Sequence, residues 1–217
     1  MSNGLTNELL VAFSEFVTNH IGLCFPADRW PDLRQGVRAA ASEFGFADEE
    51  SCMRGLMSSP LSKHQIEILA GELTVGETYF LREVRAFEVL REQIIPELVR
   101  ARRGGEQKLR LWSAGCCTGE EAYTLAVMMH KAIPDPQNWN VTVLGTDINP
   151  RFLRKASVGV FSEWSFRSAS PWLKEDYFAP AARNCYEIRQ EIRDMVIFEP
   201  LNLAEDIYPA LLNDTNA

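Results

Sequence analysis

The sequence predicts an α/β protein: a small all-helical domain followed by a doubly wound, mostly parallel sheet. Three observations predict it. Residues 5–73 carry apolar residues at three- and four-residue spacing and contain no strand-like run. After Arg103-Gly-Gly105 the pattern changes to strand, glycine-bearing turn, helix and strand. The second of those strands ends on an acidic residue, Asp147.

In the first part Leu9, Leu10, Phe13, Phe16 and Val17 give one apolar helix face. After a break at Gly22–Pro26, a second helix is predicted over Asp32–Phe44, with Leu33, Val37, Ala40, Ala41 and Phe44 on one side and Gly45 at its end. Asp48–Met57 and Ser62–Leu73 are two shorter helices. An amphipathic helix over Val84–Val99 leads into the second part. There Leu109–Trp112 reads as a strand, Thr118–Lys131 as a helix stopped by Pro134-Asp-Pro136, and Val141–Leu144 as the next strand. Pro150–Ala156 begins another helix, and Cys185–Arg189 and Met195–Phe198 read as further strands. The last residues, Ala204–Ala217, read as a short polar-tipped helix. The expected domains are therefore 1–75 (helical), 76–104 (a connecting motif and helix) and 105–217 (the ligand-binding α/β domain).

Composition narrows the function. A formal net charge of −8 without a basic stripe argues against a nucleic-acid partner. No apolar run approaches the length that crosses a bilayer, and the start of the chain lacks the pattern of a signal peptide, so no membrane insertion is expected. Five cysteines, odd in number and without Cys-x-x-Cys spacing, argue against a disulfide framework and a zinc site. They fit a reducing cytoplasm. His20, His64 and His130 lie in unrelated helical contexts and read as surface residues.

The turn Gly115–Gly119 stands between a strand and a helix, where glycines allow a sharp turn and a close approach of ligand to main chain. Free N–H groups at the helix start would favour an anionic group. Glu120 and Glu121 qualify this: two carboxylates repel a phosphate, so an amino-acid-bearing ligand, with an amine beside its carboxylate, fits better. Asp147 is placed to accept hydrogen bonds from ribose hydroxyls; the alternative is a helix cap ahead of Asn149-Pro150. Gly76-Glu-Thr-Tyr-Phe-Leu-Arg82 is the third feature, and alone it reads as a cap followed by a solvated charge.

Together these segments resemble one family, the chemotaxis-receptor glutamate methyltransferases of the CheR type. The residues that carry the resemblance are Thr74-Val-Gly-Glu-Thr-Tyr-Phe-Leu-Arg-Glu83, Leu111-Trp-Ser-Ala-Gly-Cys-Cys-Thr-Gly-Glu-Glu-Ala-Tyr-Thr-Leu-Ala126, Gly145-Thr-Asp-Ile-Asn149 and Val196-Ile-Phe-Glu-Pro-Leu-Asn-Leu203. The resemblance implies a Rossmann-like class I methyltransferase sheet and S-adenosyl-L-methionine as cofactor, with S-adenosyl-L-homocysteine as product. It implies that the segment of Gly76, Thr78 and Arg82 closes over the cofactor, with Gly76 standing where the family has Asn. Arg82 then neutralises charge near the transferred methyl and is the catalytic candidate. Gly115, the Glu120–Glu121 pair, Asp147, Asn202 and Leu203 complete the implied cofactor contacts; no metal is implied.

The implied partner is a methyl-accepting, chemoreceptor-like protein. The helical part is acidic for such a role, with six Lys/Arg against eleven Asp/Glu over residues 1–82, a net −5. Arg34, Arg38 and Arg54 are its candidates for one positive face. The Ala179-Pro-Ala-Ala-Arg-Asn-Cys185 insert lacks a glycine-bearing loop, so docking of a receptor-tail pentapeptide is not expected. The sheet is expected to stop after its third strand, leaving an inactive fragment whose Leu109–Trp112 edge is covered by a second copy or left disordered. Two other readings stay open: a non-catalytic cofactor-binding or interaction module, and a small-molecule methyltransferase.

Overall fold

The computed structural model describes residues 6–205. It divides into two compact units. One holds the chain up to Val75 with Ile148–Pro150 and the chain from Leu201; the other holds Gly76–Asp147 and Arg151–Pro200.

The first unit is built from α1 (Asn7–Ile21), α2 (Trp30–Phe44), α3 (Glu49–Met57) and α4 (Lys63–Leu73). Side chains start these helices by replacing the carbonyls that the first N–H groups lack. Thr6 Oγ1 accepts from the Leu9 amide, while Asp48 with Ser51 and Ser62 with Gln65 form reciprocal capping boxes. The apolar stripes meet in one core of Phe13, Val17, Leu33, Val37, Met53, Leu56 and Leu69. Phe16 and Phe44, expected in the stripes, are only partly buried against it. Ile148, which directly follows Asp147, packs on this core too, and Asn149 Nδ2 donates to Thr74 Oγ1 at 2.8 Å.

The second unit opens with α5 (Val84–Val89), a π turn (Leu90–Ile94) and α6 (Ile95–Arg102), where the sequence predicts one helix. Pro96 explains the interruption: it cannot donate to the turn before it, and its ring crowds that turn. The Ile95 amide reaches back five residues to Leu90 O and carries the helix through. Next come β1 (Lys108–Ala114), α7 (Glu120–Ala132), β2 (Asn140–Asp147) and α8 (Pro150–Val158). After β3 (Val160–Ser162) and α9 (Pro171–Tyr177) run β4 (Phe178–Ala181), β5 (Cys185–Ile188), α10 (Gln190–Arg193) and β6 (Val196–Pro200).

Three parallel strands in the order β1-β2-β6 form the main sheet, with Leu109 opposite Val141 and Val143 opposite Val196. The helical first part and this parallel sheet agree with the Rossmann-like methyltransferase class predicted. β2 is central, and among the described residues β1 has a strand neighbour on one side only. A smaller antiparallel sheet, β3-β5-β4, was legible only in β5. Its hairpin turns through Arg183 and Asn184, both with positive φ, in place of a glycine loop.

α7 corrects the sequence reading in one respect. It is buried on nearly all sides, because Tyr123, Thr124, Val127 and Met128 are covered as well as the expected Ala122, Leu125, Ala126 and Met129. The histidines also depart from expectation. His64 is exposed, but His20 lies half-buried on the Phe16 ring, and His130 packs edge-on against Tyr177 with a buried Nδ1. Among the described residues no helix is long and apolar enough to cross a membrane. The helix expected at the end of the chain lies, beyond Glu205, outside the described residues.

Gly36 sets how closely α2 approaches α4. A Cβ there would stand 2.6 Å from Leu73 Cδ2 and 2.7 Å from the Glu72 carbonyl oxygen. In an open helix Gly→Ala gains about 1 kcal/mol, but overlap with a backbone carbonyl costs more, roughly 1–3 kcal/mol. Gly36→Ala should therefore lower the denaturation midpoint. A raised midpoint would show that the helices part at no cost.

Candidate functional site

The parallel register sets Ala114 of β1 beside Thr146 of β2, so the chain leaving β1 turns over the end of its neighbour. Gly115 makes the turn at φ +74°, in the region that favours glycine. The amides of Gly115 and Cys116 both donate to Thr146 O at 2.8 Å. The Cys117 amide donates to Asp147 Oδ2, also at 2.8 Å. Gly119, at φ +96°, donates to Cys116 O, and α7 begins at the next residue.

The loop amides ahead of the helix start are already engaged. Those of Gly115, Cys116 and Cys117 are satisfied by the end of β2, because a parallel neighbour presents its last carbonyl and its terminal side chain there. The turn offers a fixed shape and an open face instead: nothing lies within 4 Å of where a Cβ on Gly115 would be. Asp147 is 8% exposed and bonds the loop 30 positions earlier.

The two glutamates of α7 separate cleanly. Glu120 is buried; its Oε2 accepts from Thr118 Oγ1 at 2.6 Å and its Oε1 from Ser165 Oγ at 3.0 Å. Glu121 is exposed and accepts from the Ser113 hydroxyl at 2.6 Å, which holds it at the end of β1. Glu120 thus braces the loop, and Glu121 is the carboxylate turned to the surface. Ser113 itself is buried, and Trp112 Nε1 donates to Thr146 Oγ1 at 2.9 Å.

The Gly76–Arg82 segment is fixed in the same unit. Phe80 is fully buried among Phe161, Phe166 and Phe178, and its amide donates to Ser165 O at 2.9 Å. Ser165 therefore joins this segment to Glu120 and the loop. A Cβ on Gly76 would lie 2.6 Å from Phe152 Cζ and 3.1 Å from Cys117 Sγ, so the Phe152 ring fills the space a side chain would take. Thr78 is half-buried, and Arg82 is exposed with Nη1 donating to Glu77 O. Asn202 and Leu203 belong to the helical unit, where Asn202 Nδ2 donates to His20 O at 2.7 Å and Leu203 is exposed.

Neither loop cysteine is a nucleophile. Burial, with smaller contributions from Glu120 and Asp147, pushes the Cys117 thiol up to about 11. Burial, then Asp147, raises Cys116 as well. Both stay protonated at neutral pH. Among the described residues no group of three or more His, Cys, Asp or Glu could hold a metal. A groove of about 550 Å³ lined by Val84, Phe87, Met128 and Trp172 lies in the same unit, but none of the expected site residues lines it.

S-adenosyl-L-methionine fits the loop chemically. Gly115 lets a ligand lie on bare backbone, the exposed Glu121 carboxylate suits a cationic amine, and Asp147 suits ribose hydroxyls. Sequence reasoning missed Ser113, Thr146 and Ser165, which hold these groups. Their signal was position only: a strand end beside the loop for Ser113 and Thr146, and nothing for Ser165.

The family described as CheR methyltransferase, SAM binding domain, matches residues 76–213. A chemotaxis protein methyltransferase from Borreliella burgdorferi is 27% identical over 207 residues, which cover 94% of this chain and 73% of that protein. Chemotaxis protein methyltransferase 2 of Vibrio cholerae is 32% identical over 142 residues, 65% of this chain and 49% of the relative. Chemotaxis protein methyltransferase 1 of Pseudomonas aeruginosa is 32% identical over 153 residues, 67% of this chain and 53% of the relative. The chain thus spans about half the length of the last two.

Gly119→Ala should damage this site. The new Cβ would sit 2.9 Å from Ala156 Cβ at a φ that side chains rarely adopt. S-adenosyl-L-homocysteine affinity, measured by calorimetry, should fall on the order of tenfold, as expected from strain of 1–3 kcal/mol. Unchanged affinity would show that the turn is not what shapes the site.

Proposed function

The chain belongs to the CheR methyltransferase family, and we propose that it serves transfer of a methyl group from S-adenosyl-L-methionine to glutamate side chains of a chemoreceptor-like protein in the cytoplasm. One observation carries the reading: the turn Gly115–Gly119 is tied to Asp147 while Glu121 is held at its rim by Ser113. That arrangement suits an adenosine-linked amino acid better than a phosphate, which Glu121 would repel.

Bound there, the cofactor supplies a methyl group activated on a sulfonium. A glutamate carboxylate is ionised at neutral pH, so it would need no base to accept the methyl group, the C–S bond breaking as the C–O bond formed. The protein's contribution is alignment and exclusion of water. In this reading Gly76, Thr78 and Arg82 cover the cofactor, Asp147 holds the ribose and Glu121 the amine. Arg82, whose fork is held by Glu77 O, offsets carboxylate charge at the transfer point.

A non-catalytic cofactor-binding module is the second reading, and Gly76 favours it. Phe152 occupies the place where the family's Asn side chain would reach.

Incubation with methyl-labelled S-adenosyl-L-methionine and chemoreceptor membranes tests the choice. Alkali-labile label on the receptor is expected, since a carboxyl methyl ester releases methanol in base. Arg82→Lys should keep S-adenosyl-L-homocysteine affinity and lower transfer on the order of 100-fold, the cost of a misplaced reacting group. Cofactor binding without any transfer by the unsubstituted protein would favour the module, and normal turnover by Arg82→Lys would remove Arg82 from the chemistry.

A further inference from the structure

We propose that Tyr79, Trp164 and Arg167 form the surface on which the acidic protein substrate docks, beside Arg82. The inference rests on the reading of a glutamate-bearing substrate. It begins with what the helical unit does not offer. Arg34, Arg38 and Arg54 were the sequence's candidates for a positive face, and each is engaged by a carboxylate of its own unit. Arg34 Nη2 lies 2.5 Å and Arg38 Nη2 3.3 Å from the carboxylate of Glu49, while Arg54 Nη2 lies 3.0 Å from Glu50. Glu49 is shared by two of them, so a single positive charge is left over, in a unit with a surplus of Asp and Glu.

The second unit differs. The Arg167 guanidinium lies 3.8 Å from the Tyr79 ring centre and 4.6 Å from that of Trp164, and Nη1 donates to Trp164 O at 3.0 Å. Arg82 lies over the same Tyr79 ring, 5.8 Å away. Carboxylates meet these cations weakly. Glu77, itself 68% exposed, stands 4.0 Å from Arg167, a pair of little strength in water. Glu163 is taken by Lys174 at 2.8 Å. Among the described residues no ion pair involves Arg82. Arg167, held by two rings and Trp164 O, and Arg82, held by Glu77 O, therefore present positive charge from restrained side chains, so less freedom is lost when a carboxylate arrives.

Trp164 supplies the apolar half. It is 70% exposed, although neighbouring Ser165 and Phe166 are buried, so its indole is offered outward by a rigid support. Exposed Trp164 and Arg82 beside half-buried Tyr79 and Arg167 match the residue types of binding hot spots. The patch is also fixed to the cofactor turn. Ser165, next to Trp164, bonds Glu120 and receives the Phe80 amide one residue after Tyr79. A carboxylate-bearing helix held here would be placed by the same residues that hold the loop.

The test uses the whole chain and two fluorescent helical peptides, one with glutamates along one face and the other with glutamines. The glutamate peptide should bind more tightly. Trp164→Ala and Arg167→Ala should each weaken it on the order of tenfold, with S-adenosyl-L-homocysteine affinity unchanged, whereas Arg38→Ala should have no effect. Arg167→Lys, which keeps the charge and loses the planar fork, should fall between. Equal peptide affinity in all variants would overturn the surface and leave the glutamate reading standing. Cofactor affinity falling in step with peptide affinity in Arg167→Ala would also overturn it, showing that Arg167 only positions the Gly76–Arg82 segment. A wild-type chain that treats the two peptides alike would remove the glutamate substrate, and the docking surface with it.

Discussion

The Asp147 carboxylate accepts the Cys117 amide at 2.8 Å, and this bond joins the first loop of the α/β unit to the end of its central strand. A buried carboxylate costs free energy unless it is hydrogen-bonded, and the turn supplies a donor. In return the turn is held open-faced at Gly115, where a ligand can approach. Thr146, the residue before Asp147, fixes the two preceding amides through its carbonyl. The end of β2 thus carries both halves of the site, the shape of the loop and its acidic group.

A second tier of bonds extends this constraint outward. Glu120 stiffens the start of α7 by accepting from Thr118 and Ser165, and Ser165 in turn receives the amide of Phe80. Phe80 is anchored in an aromatic cluster of Phe161, Phe166 and Phe178. The small antiparallel sheet contributes Phe161 and Phe178 to that cluster and so supports the segment that carries Thr78 and Arg82. Packing, charge and loop geometry in this unit converge on one end of the main sheet, where ligands of open α/β sheets bind.

Much of this was legible in the sequence, for identifiable reasons. The Gly115–Gly119 turn and Asp147 announce themselves because strand, glycine and helix must follow one another in a fixed order. The helices of the first part show because their stripes and caps are local. Other features depend on partners far along the chain. Glu120 and Glu121 are alike in sequence, and only Ser165, brought in by the 3₁₀ turn Glu163–Phe166, draws one of them inside. The engagement of the loop amides had no local signal, because Thr146 O and the Asp147 carboxylate that take them belong to the next strand. β3 spans three residues, too few for a period to appear, and Pro180 within β4 argues against a strand there. Arg167 and Trp164 had no signal, since a stacked guanidinium looks like any other arginine until its aromatic partners are placed.

If the bond between Asp147 and Cys117 is the constraint on which the loop depends, its loss must be visible at that amide. Hydrogen exchange followed by nuclear magnetic resonance reads it directly in Asp147→Ala. The account predicts that protection of the Cys117 amide falls on the order of tenfold or more, the measure of a lost hydrogen bond to a charged acceptor, while amides in the middle of β2 keep theirs. Unchanged protection at Cys117 in a variant that no longer carries the carboxylate would contradict it, because the loop would then hold its shape without the group said to fix it.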